Sequence, residues 1–375
     1  MGEGILYYWY LVMEKDALFR KMVERQASDL FLKVGTPAFL RLSGKLCPVD
    51  GLALEESELL QLALDLMGPS RQQVFQTQRE MNFAFERPGI GRFRANVLKT
   101  RGHLAMVIRQ IRAEIPGFEE LNLPAAVFKK QIAEQTQGLI LITGPTGSGK
   151  STTSAAILEH INRTRGCHIL TLEDPVEYLF HEKQSVVDQR EIGVDTASFS
   201  EGLKNALRQS PDVLFVSDIR DQETMETALL AAESGQMVLS CIHTTNAVTT
   251  FERLLAFFPP HQHEMIRLRL SQVLRAMISL RLLNRCDQPG QIPACEILIM
   301  TPTIRDFLRQ GETAEIPPLL LDGSLEGMQT MTQALHRLVQ EKRVSREEAM
   351  RVSENLGELE LAFRGIGSVR DARRI

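Results

Sequence analysis

The spacing of apolar and polar residues differs between the first hundred residues and the rest of the chain. Helical spacing is found at residues 15–26 and 55–67. Short alternating segments that predict strands lie at residues 29–34, 41–49, 81–85 and 92–97. This mixture predicts a small α/β domain, and Ile115-Pro116-Gly117 is the best candidate for the linker behind it.

Beyond this linker the strand-like segments become continuous apolar runs. They lie at residues 138–142, 167–172, 213–216 and 237–242. Such runs are typical of strands covered on both faces, and their alternation with helical stretches predicts a parallel sheet with right-handed crossovers. From about Arg285 onward the pattern predicts mainly short amphipathic helices, among them residues 303–310 and 331–340.

Composition narrows the class of protein without defining a function. The 375 residues suffice for two or three domains, and 43% hydrophobic and 24% charged residues are ordinary for a soluble globular protein. The formal net charge of -4 gives no overall attraction to nucleic acid or anionic lipid, so we expect no nucleic-acid partner. Five scattered cysteines without a CxxC pair indicate reduced thiols and no zinc site.

The apolar segment ILYYWYLVM at residues 5–13 needs a separate interpretation. It is far shorter than the about 20 apolar residues of a transmembrane helix, and it lacks the basic start and cleavage site of a signal peptide. We expect residues 1–12 to be an upstream extension, with Met13 as the natural first residue; the alternative is an anchor at a membrane surface. No other segment approaches membrane-spanning length, so we expect a cytoplasmic protein.

The strongest motif is GPTGSGKS at residues 144–151, which fits the phosphate-binding pattern GxxxxGK[ST]. Its glycines let backbone N–H groups turn inward around a phosphate, and the helix predicted after it adds the positive end of its dipole. Lys150 would reach the β- and γ-phosphates of ATP, and the Ser151 hydroxyl would bind Mg²⁺. The alternative, a turn that is glycine-rich by chance, is disfavoured by the apolar run before the loop. The predicted nucleotide-binding residues are Gly144, Pro145, Thr146, Gly147, Ser148, Gly149, Lys150, Ser151 and Thr152.

Polar residues follow three further apolar runs. Glu173 follows residues 167–172, Asp218 follows residues 213–216 in the form of a Walker B element, and His243 follows residues 237–242. Each one alone has an ordinary explanation, since acids occur at helix starts and a lone histidine is more often part of a core. Ligands of parallel sheets bind at the carboxyl ends of the strands. Three polar strand ends together with a phosphate loop therefore favour one shared nucleotide site.

Four segments, in this order and spacing, resemble the secretion and pilus ATPases of the type II/type IV superfamily: GPTGSGKST, LTLEDPVEY, LRQSPDVLFVSDIRD and GQMVLSCIHTTNA. The resemblance covers nearly the whole chain from Glu14. Assembly ATPases of this superfamily usually carry paired CxxC zinc ligands, which this sequence lacks. The segment TIRDFLRQ at residues 303–310 looks like the AIRNLIRE-type helix of the retraction ATPases. The chain is therefore most similar to retraction ATPases of the PilT/PilU kind.

This resemblance implies a subunit of a homo-hexameric ring with two main domains. A PAS-like N-terminal domain is expected at residues 13–112, a linker at 113–120, a RecA-like ATPase core at 121–284 and a mainly helical C-terminal subdomain at 285–375. The family implies that ATP hydrolysis with Mg²⁺ drives type IV pilus retraction and twitching motility. It also implies work on a platform protein at the inner membrane of a bacterium, with a paralogous retraction ATPase as a candidate partner.

The resemblance also assigns roles to residues of this sequence. Lys150 and Ser151 would bind phosphate and Mg²⁺. Glu173 would be the acid of the Asp box, Asp218 the Walker B acid and His243 the sensor of the His box, with both acids reaching Mg²⁺ partly through water. Arginines of the N-terminal domain complete the nucleotide site in the family. Arg94 and Arg109 are favoured for this arginine-finger role over the other arginines of the stretch, Arg92, Arg101 and Arg112.

Three departures from the family pattern bear on activity. Ser217-Asp218 stands where Gly-Glu is expected, which withdraws the carboxylate by about 1.5 Å, and misplacement on that scale costs on the order of 100-fold in rate. Gln236 replaces a frequent second histidine, and residues 208–211 read Arg-Gln-Ser-Pro instead of Arg-x-Asp-Pro. We expect nucleotide binding to survive all three departures. Fast ATP hydrolysis is the property that these departures put in question. An active retraction ATPase is the first hypothesis, a weakly active or inactive PilU-like accessory ring acting with an active paralogue the second, and a type II secretion or pilus assembly ATPase the third.

Overall fold

The computed structural model describes residues 16–42, 45–49, 53–75, 77–78, 80–111 and 114–366. The expected extension at residues 1–12 and the arginine at position 112 lie outside these described residues. The chain forms two compact units. The first unit contains the residues up to Glu114 together with Pro175–Leu179, and the second contains Ile115–Asp174 and the chain from Phe180 onward.

The first unit is built on an antiparallel sheet with two helices packed against it. The strands are β1 (Asp29–Lys33), β2 (Phe39–Leu42), β3 (Lys45–Pro48), β4 (Glu80–Arg87), β5 (Gly91–Thr100) and β6 (His103–Ile111). Their order in the sheet is β3-β2-β1-β6-β5-β4. The helices are α1 (residues 16–24) and α2 (Glu56–Phe75), and α2 is interrupted at Gly68, where φ is +70°. Phe19, Leu59 and Phe93 lie in the apolar core between helices and sheet, and each is at most 1% exposed.

The strand β6 has no counterpart among the strands predicted from the sequence. It forms a hairpin with β5 through a two-residue turn at Arg101 and Gly102, whose φ angles are +53° and +85°. Positive φ at both central residues defines the type I′ turn that matches the twist of adjoining strands. Arg-Gly is a weaker sign of this turn than Asn-Gly or Asp-Gly, so the pattern of the sequence did not reveal the β5–β6 hairpin.

The second unit is built on a seven-stranded sheet. Its strands are β7 (Gly138–Thr143), β8 (His168–Glu173), β9 (Val186–Glu191), β10 (Val213–Val216), β11 (Met237–Ile242), β12 (Leu274–Asn284) and β13 (Gln291–Ile299). They follow the order β13-β12-β7-β11-β10-β8-β9. The β12–β13 pair is antiparallel, and the other pairs are parallel.

Helices connect these strands and follow them. They are α3 (Ala125–Val127), which continues as a π-helix (Phe128–Ala133), α4 (Lys150–Thr164), α5 (Phe199–Ala206), α6 (Gln222–Glu233), α7 (Ala247–Ala256), α8 (His263–Val273), α9 (Pro302–Gln310), α10 (Ile316–Asp322), α11 (Met331–Gln340), α12 (Arg346–Val352) and α13 (Leu356–Phe363). Short 3-10 turns lie at Pro260–Gln262, Thr313–Glu315 and Gly323–Glu326. Among the described residues, none of these helices combines the length and the apolar character that crossing a membrane requires.

Both faces of the large sheet are covered by helices. Ile140 and Ile142 of β7 pack in one apolar cluster with Ile157 of α4. Leu139 and Leu141 of the same strand point the other way, into a second cluster formed with α5, α6, α7 and α8. The continuous apolar runs of the sequence arise because each strand is buried on two sides. The predicted fold class is confirmed: a RecA-like α/β domain is preceded by a small α/β domain.

The prediction that the chain turns mainly helical from Arg285 is wrong for residues 291–299. This segment is β13, which pairs with β12 along its whole length and extends the sheet. Pro293 lies inside β13, and a proline within a strand-like run normally argues against a strand. The strand tolerates it because β13 is the edge of the sheet. After Pro302 the described chain is helical, and α9 and α11 lie where helices were predicted.

Candidate nucleotide-binding site

The phosphate-loop motif lies between β7, which ends at Thr143, and α4, which begins at Lys150. Three of its glycines, Gly144, Gly147 and Gly149, have φ angles of +150°, +78° and +97°. These angles favour glycine because a Cβ atom would clash with the backbone. At Gly144 a Cβ would also lie 2.8 Å from the carbonyl oxygen of Leu280 on β12. The loop therefore lies tightly against the neighbouring strand.

Lys150 is buried at the start of α4, and its ammonium group is enclosed by the loop. The Nζ atom donates hydrogen bonds to the carbonyl oxygens of Gly144 at 2.8 Å and Pro145 at 3.0 Å. It also lies 3.3 Å from Nδ1 of His243. The positive charge is thus held against the backbone at the start of the loop.

His243 links Lys150 to Asp218. It follows the last residue of β11, and the sheet order places β11 between β7, which carries the loop, and β10, which precedes Asp218. Its Nε2 atom is 3.5 Å from Oδ2 of Asp218. With the proton on Nε2, the imidazole accepts from the lysine at Nδ1 and places its N–H group beside the carboxylate.

Asp218 is 6% exposed and is oriented by an arginine. Its Oδ2 atom accepts a hydrogen bond from Nε of Arg220 at 2.6 Å, and Nη1 of Arg220 is 3.7 Å from Oδ2 of Asp174. The hydrogen bond with Asp218 raises the pKa of Arg220. The other oxygen of Asp218, Oδ1, is buried and has no hydrogen-bond partner among the described residues.

Glu173 is the last residue of β8 and is 5% exposed. Its Oε1 atom accepts hydrogen bonds from Oγ1 of Thr171 at 2.7 Å and from Nε2 of Gln189 at 3.1 Å. Thr171 and Gln189 are paired residues of β8 and β9, so the two donors belong to the same face of the sheet. Sequence reasoning missed Gln189 because β9 was not predicted, and the one available sign was an alternating segment with little apolar content.

Three buried oxygen atoms near the loop have no hydrogen-bond partner among the described residues: Thr143 Oγ1, Ser148 Oγ and Asp218 Oδ1. Buried polar atoms are normally paired, so such a group needs an explanation. A polyphosphate with its metal ion supplies one, because it brings both oxygen atoms and a cation. Mg²⁺ is usually held by one or two carboxylates together with substrate phosphates. Asp218 and the half-buried Ser151 at the first turn of α4 fit such a site.

The two favoured arginines belong to the sheet of the first unit. Arg94 of β5 and Arg109 of β6 are directly opposite each other in the register. Like charges in such positions repel each other, and each arginine has an acidic neighbour. Nε of Arg109 donates to Oδ1 of Asp29 at 2.9 Å, and Nη1 of Arg94 is 3.5 Å from Oε1 of Glu177. Arg92 lies on β5 and Arg101 in the following turn.

Two of the three departures from the expected pattern lie at the amino ends of the strands of the large sheet, and one lies at the carboxyl ends. Gln236 precedes β11, and residues 208–211 precede β10, so both lie at the amino ends of strands. The six residues of β11 span about 20 Å, which separates Gln236 from the loop edge. Ser217-Asp218 is the one departure that lies at the carboxyl ends, beside His243.

The phosphate loop, the strand-end residues and the doubly covered sheet define a P-loop nucleotide-binding protein of RecA-like fold. The family described as type II/IV secretion system protein matches residues 80–359. The type IV pilus ATPase PilU of Pseudomonas aeruginosa is 37% identical over 360 residues, covering 96% of this chain and 94% of the relative. The type IV pilus retraction ATPase PilT of the same organism is 39% identical over 337 residues, covering 90% and 97%.

A solved structure of the pilus retraction motor PilT with bound ADP has the same fold. It superposes with a TM-score of 0.83 at 41% sequence identity, covering 93% of this chain and 98% of that one. The chain therefore belongs to the type II/IV secretion ATPase family, and within it to the PilT/PilU-like proteins.

Proposed function

We propose that this protein hydrolyses ATP as a subunit of a hexameric ring motor that retracts type IV pili. The observation that carries the proposal is the chain of contacts from Lys150 through His243 to Asp218 beside a phosphate loop. The similarity to PilT and PilU along at least nine tenths of this chain supports retraction as the process that this activity drives. A family-typical loop alone would fit many kinds of nucleotide-binding protein.

In the proposed reaction, each residue acts from the position described above. The backbone N–H groups of the loop bind the β- and γ-phosphates, and the Lys150 ammonium exchanges the carbonyl oxygens of Gly144 and Pro145 for phosphate oxygens. Ser151 and Asp218 would hold Mg²⁺, with Glu173 contributing through water. Mg²⁺, when bound, neutralises charge that develops on the phosphates. Glu173 orients the attacking water and accepts its proton.

His243 is proposed to report whether a γ-phosphate is present. Its Nδ1 atom accepts from the same ammonium that a γ-phosphate would attract. When Lys150 turns to the phosphate, His243 loses that donor and its ring is held by Asp218 alone. The N–H of Nε2 can then leave Asp218 and donate to the phosphate instead, so that the position of the ring depends on the nucleotide.

The remaining parts of the proposal concern charge compensation and partners. Arg94 and Arg109 are proposed to offset charge on the γ-phosphate, and the exposure of their side chains, 37% and 68%, supports this role. We propose that the ring acts in the cytoplasm at the inner membrane of a bacterium. Its proposed partners are a pilus platform protein and a paralogous retraction ATPase.

A second candidate is an accessory ring that binds ATP and hydrolyses it slowly. Ser217-Asp218 favours it, because the shorter carboxylate lies at the nucleotide edge. PilU covers this chain along 96% of its length, and its identity to this chain is close to that of PilT.

A steady-state ATPase assay of the purified protein tests the proposal, with Lys150→Ala as the blank. Phosphate release clearly above the blank supports an active motor, and release equal to the blank contradicts it in favour of the accessory ring. Asp218→Glu sharpens the result. A large gain in turnover would indicate that the native carboxylate is too short. Little change would mean that Asp218 already fulfils the role of the Walker B acid.

A further inference from the structure

Residues 243–246, which we call the sensor loop, connect β11 to α7 and carry His243 at their start. On one side, His243 contacts Lys150 and Asp218. On the other side, the loop is held by side chains that come from distant parts of the chain. These holding contacts have no part in the proposed reaction, and they act on the loop that carries His243 together with the local cap of α7.

Arg281 of β12 provides the first holding contact. It is 8% exposed, and its Nη2 atom donates to the carbonyl oxygen of Thr245 at 3.1 Å. The Nη1 atom donates to the carbonyl oxygen of Leu280 at 3.1 Å, the same oxygen that closely approaches Gly144 of the phosphate loop. The guanidinium group also forms an ion pair with Glu354. Arg281 thus binds the backbone of the sensor loop directly, and it also binds the carbonyl oxygen of β12 that lies against the phosphate loop.

Glu354 provides the second holding contact. It lies between α12 and α13, 108 residues from Asn246 in the sequence. Its Oε2 atom accepts a hydrogen bond from Nδ2 of Asn246 at 2.7 Å, while Oε1 pairs with Arg281. Asn246 is the N-cap of α7, so Glu354 reaches the point where the sensor loop becomes a helix.

Glu296 of β13 completes the support from the sheet. Its Oε1 atom accepts hydrogen bonds from the backbone N of Ala247 at 2.9 Å and from Oγ of Ser279 at 3.3 Å. Arg281 and Glu296 belong to paired strands of the rigid sheet, whereas Glu354 belongs to the connection between two helices near the C-terminus. The pair Arg281–Glu354 therefore joins the sensor loop to those helices.

We propose that Arg281 and Glu354 are positioning residues that couple helices α12 and α13 to the nucleotide site through the sensor loop. This inference rests on the proposed ATPase function. While the ion pair is closed, His243 stays between Lys150 and Asp218. When the pair opens and Glu354 withdraws, the loop loses its contact at Asn246, Arg281 loses the partner that orients it towards Thr245, and His243 leaves its position. By linkage, a nucleotide that moves His243 also changes how firmly α12 and α13 are held.

Glu354→Gln tests this proposal, because it removes the charge and keeps the size of the side chain. We expect kcat to fall about tenfold while the KM for ATP stays within about twofold, since small displacements near the reacting groups affect rate more than binding. Glu360→Gln is the matched control. Glu360 lies on α13 and pairs with Arg346 and Arg364, away from the sensor loop, and its replacement should leave both constants unchanged.

A double substitution separates positioning from a general loss of stability. If Glu354 acts through His243, then Glu354→Gln combined with His243→Ala should be no slower than His243→Ala alone. Effects that multiply would overturn the proposal. Arg281→Lys gives a second approach, because lysine keeps the charge and cannot donate to Thr245 and Glu354 in the fork geometry of arginine. It should also lower kcat with little change in KM.

Hydrogen exchange supplies a readout that does not need turnover. In Glu354→Gln the amides of residues 243–247 should exchange about tenfold faster, the factor for losing one hydrogen bond to a charged group, and in Glu360→Gln they should not. If the wild-type protein hydrolyses no ATP above the Lys150→Ala blank, the proposed function fails while this measurement still decides the coupling. Unchanged exchange in Glu354→Gln would overturn the coupling whatever the ATPase activity.

Discussion

The two edges of the large sheet use polar side chains differently. At the edge where the strands begin, two charged side chains bind the backbone: Nη1 of Arg165 donates to the carbonyl oxygens of Ala133 at 3.1 Å and Gln135 at 2.9 Å. Asp212 accepts from the backbone N of His168 at 2.8 Å. At the edge where the strands end, side chains contact one another, from Lys150 through His243 and Asp218 to Arg220.

This difference shows which edge serves the fold and which serves a ligand. Arg165 and Asp212 fix connections between elements through their hydrogen bonds to the backbone. At the carboxyl edge, Thr143, Ser148 and Asp218 keep buried oxygen atoms without a partner among the described residues. The amino edge has one such atom, Oε1 of Gln236. Unpaired buried groups destabilise a protein, and their concentration beside the phosphate loop is understandable if a ligand binds there.

The largest effect should come from the carboxyl edge, in Glu173→Gln. We expect kcat to fall by about 100-fold or more, because a water-activating carboxylate becomes a neutral amide. Thr171 and Gln189 can still pair with the amide, so thermal stability should not decrease. ATPase kinetics and a thermal melt measure both. Asp188→Asn, an exposed acid of the adjoining strand, is the control. If Glu173→Gln lowered the Tm clearly as well as kcat, Glu173 would serve the fold too, and the contrast between the two edges would fail.

The amino edge should respond in stability instead. Arg165→Ala removes two hydrogen bonds from a charged donor, and we expect the free energy of unfolding to fall by about 2 kcal/mol. Turnover below the melting temperature should stay within about twofold of the wild type. This edge is remote from the groups whose displacement would slow catalysis. Arg163→Ala is the control, because the Arg163 side chain is exposed and Glu159 keeps its pair with Lys183, so that the lost pair should contribute about 0.5 kcal/mol. Denaturant unfolding gives the free energies, and a slow Arg165→Ala enzyme would contradict the assignment of this edge to the fold.

A smaller, pH-dependent effect is expected at Glu296, behind the sensor loop. Burial raises the pKa of this carboxyl group, because the charged form is disfavoured there. A raised pKa in the folded state gives stability that is fully present below the pKa of the unfolded state and is lost as the pH rises through the folded value. Glu296→Gln stays neutral and escapes this loss. Its Tm relative to wild type should therefore be higher at pH 8 than at pH 5, and a difference that does not change with pH would refute this reading.

The smallest effect is expected for Ser210→Asp at the amino edge. Ser210 has a φ of +51°, and it is one of the three positions at which the sequence departs from the expected pattern. Aspartate adopts this left-handed conformation more readily than serine, so the free energy of unfolding should rise by about 0.5 kcal/mol. Turnover should not change. A rate that rises more than twofold would mean that the amino edge does reach the nucleotide.

The sequence predicted the part of the site that lies on buried strands. β7, β8, β10 and β11 were predicted because a parallel strand covered on both faces is a continuous apolar run. Once they are placed, the polar residues behind them must meet at one edge, and the sheet order brings Lys150, His243 and Asp218 into contact. The roles of these residues were supplied by resemblance to a family, since spacing alone does not distinguish a catalytic acid from the acid of a helix cap.

The rest depends on contacts that a local pattern does not contain. β12 begins at Leu274, directly after α8 ends at Val273, so no loop signal separates helix from strand. β9 is a polar edge strand, and β13 is interrupted by Pro293. Gln189, one of the two partners of Glu173, and the residues that hold the sensor loop come from these unpredicted strands and from Glu354. Pairings over such distances in the chain are fixed by register and packing, and neither is visible in hydrophobic periodicity.

The close approach of Leu280 to Gly144 gives the first glycine of the phosphate motif a second constraint. A side chain at this position would meet the carbonyl oxygen of β12 whether or not ATP is bound. Mutational intolerance there would reflect the folding of the empty subunit, whereas intolerance at Lys150 would reflect recognition of the triphosphate. Two positions of one motif are thus constrained for different reasons. Exchanging the loop with that of another P-loop protein would succeed only if the recipient's adjacent strand leaves the same gap.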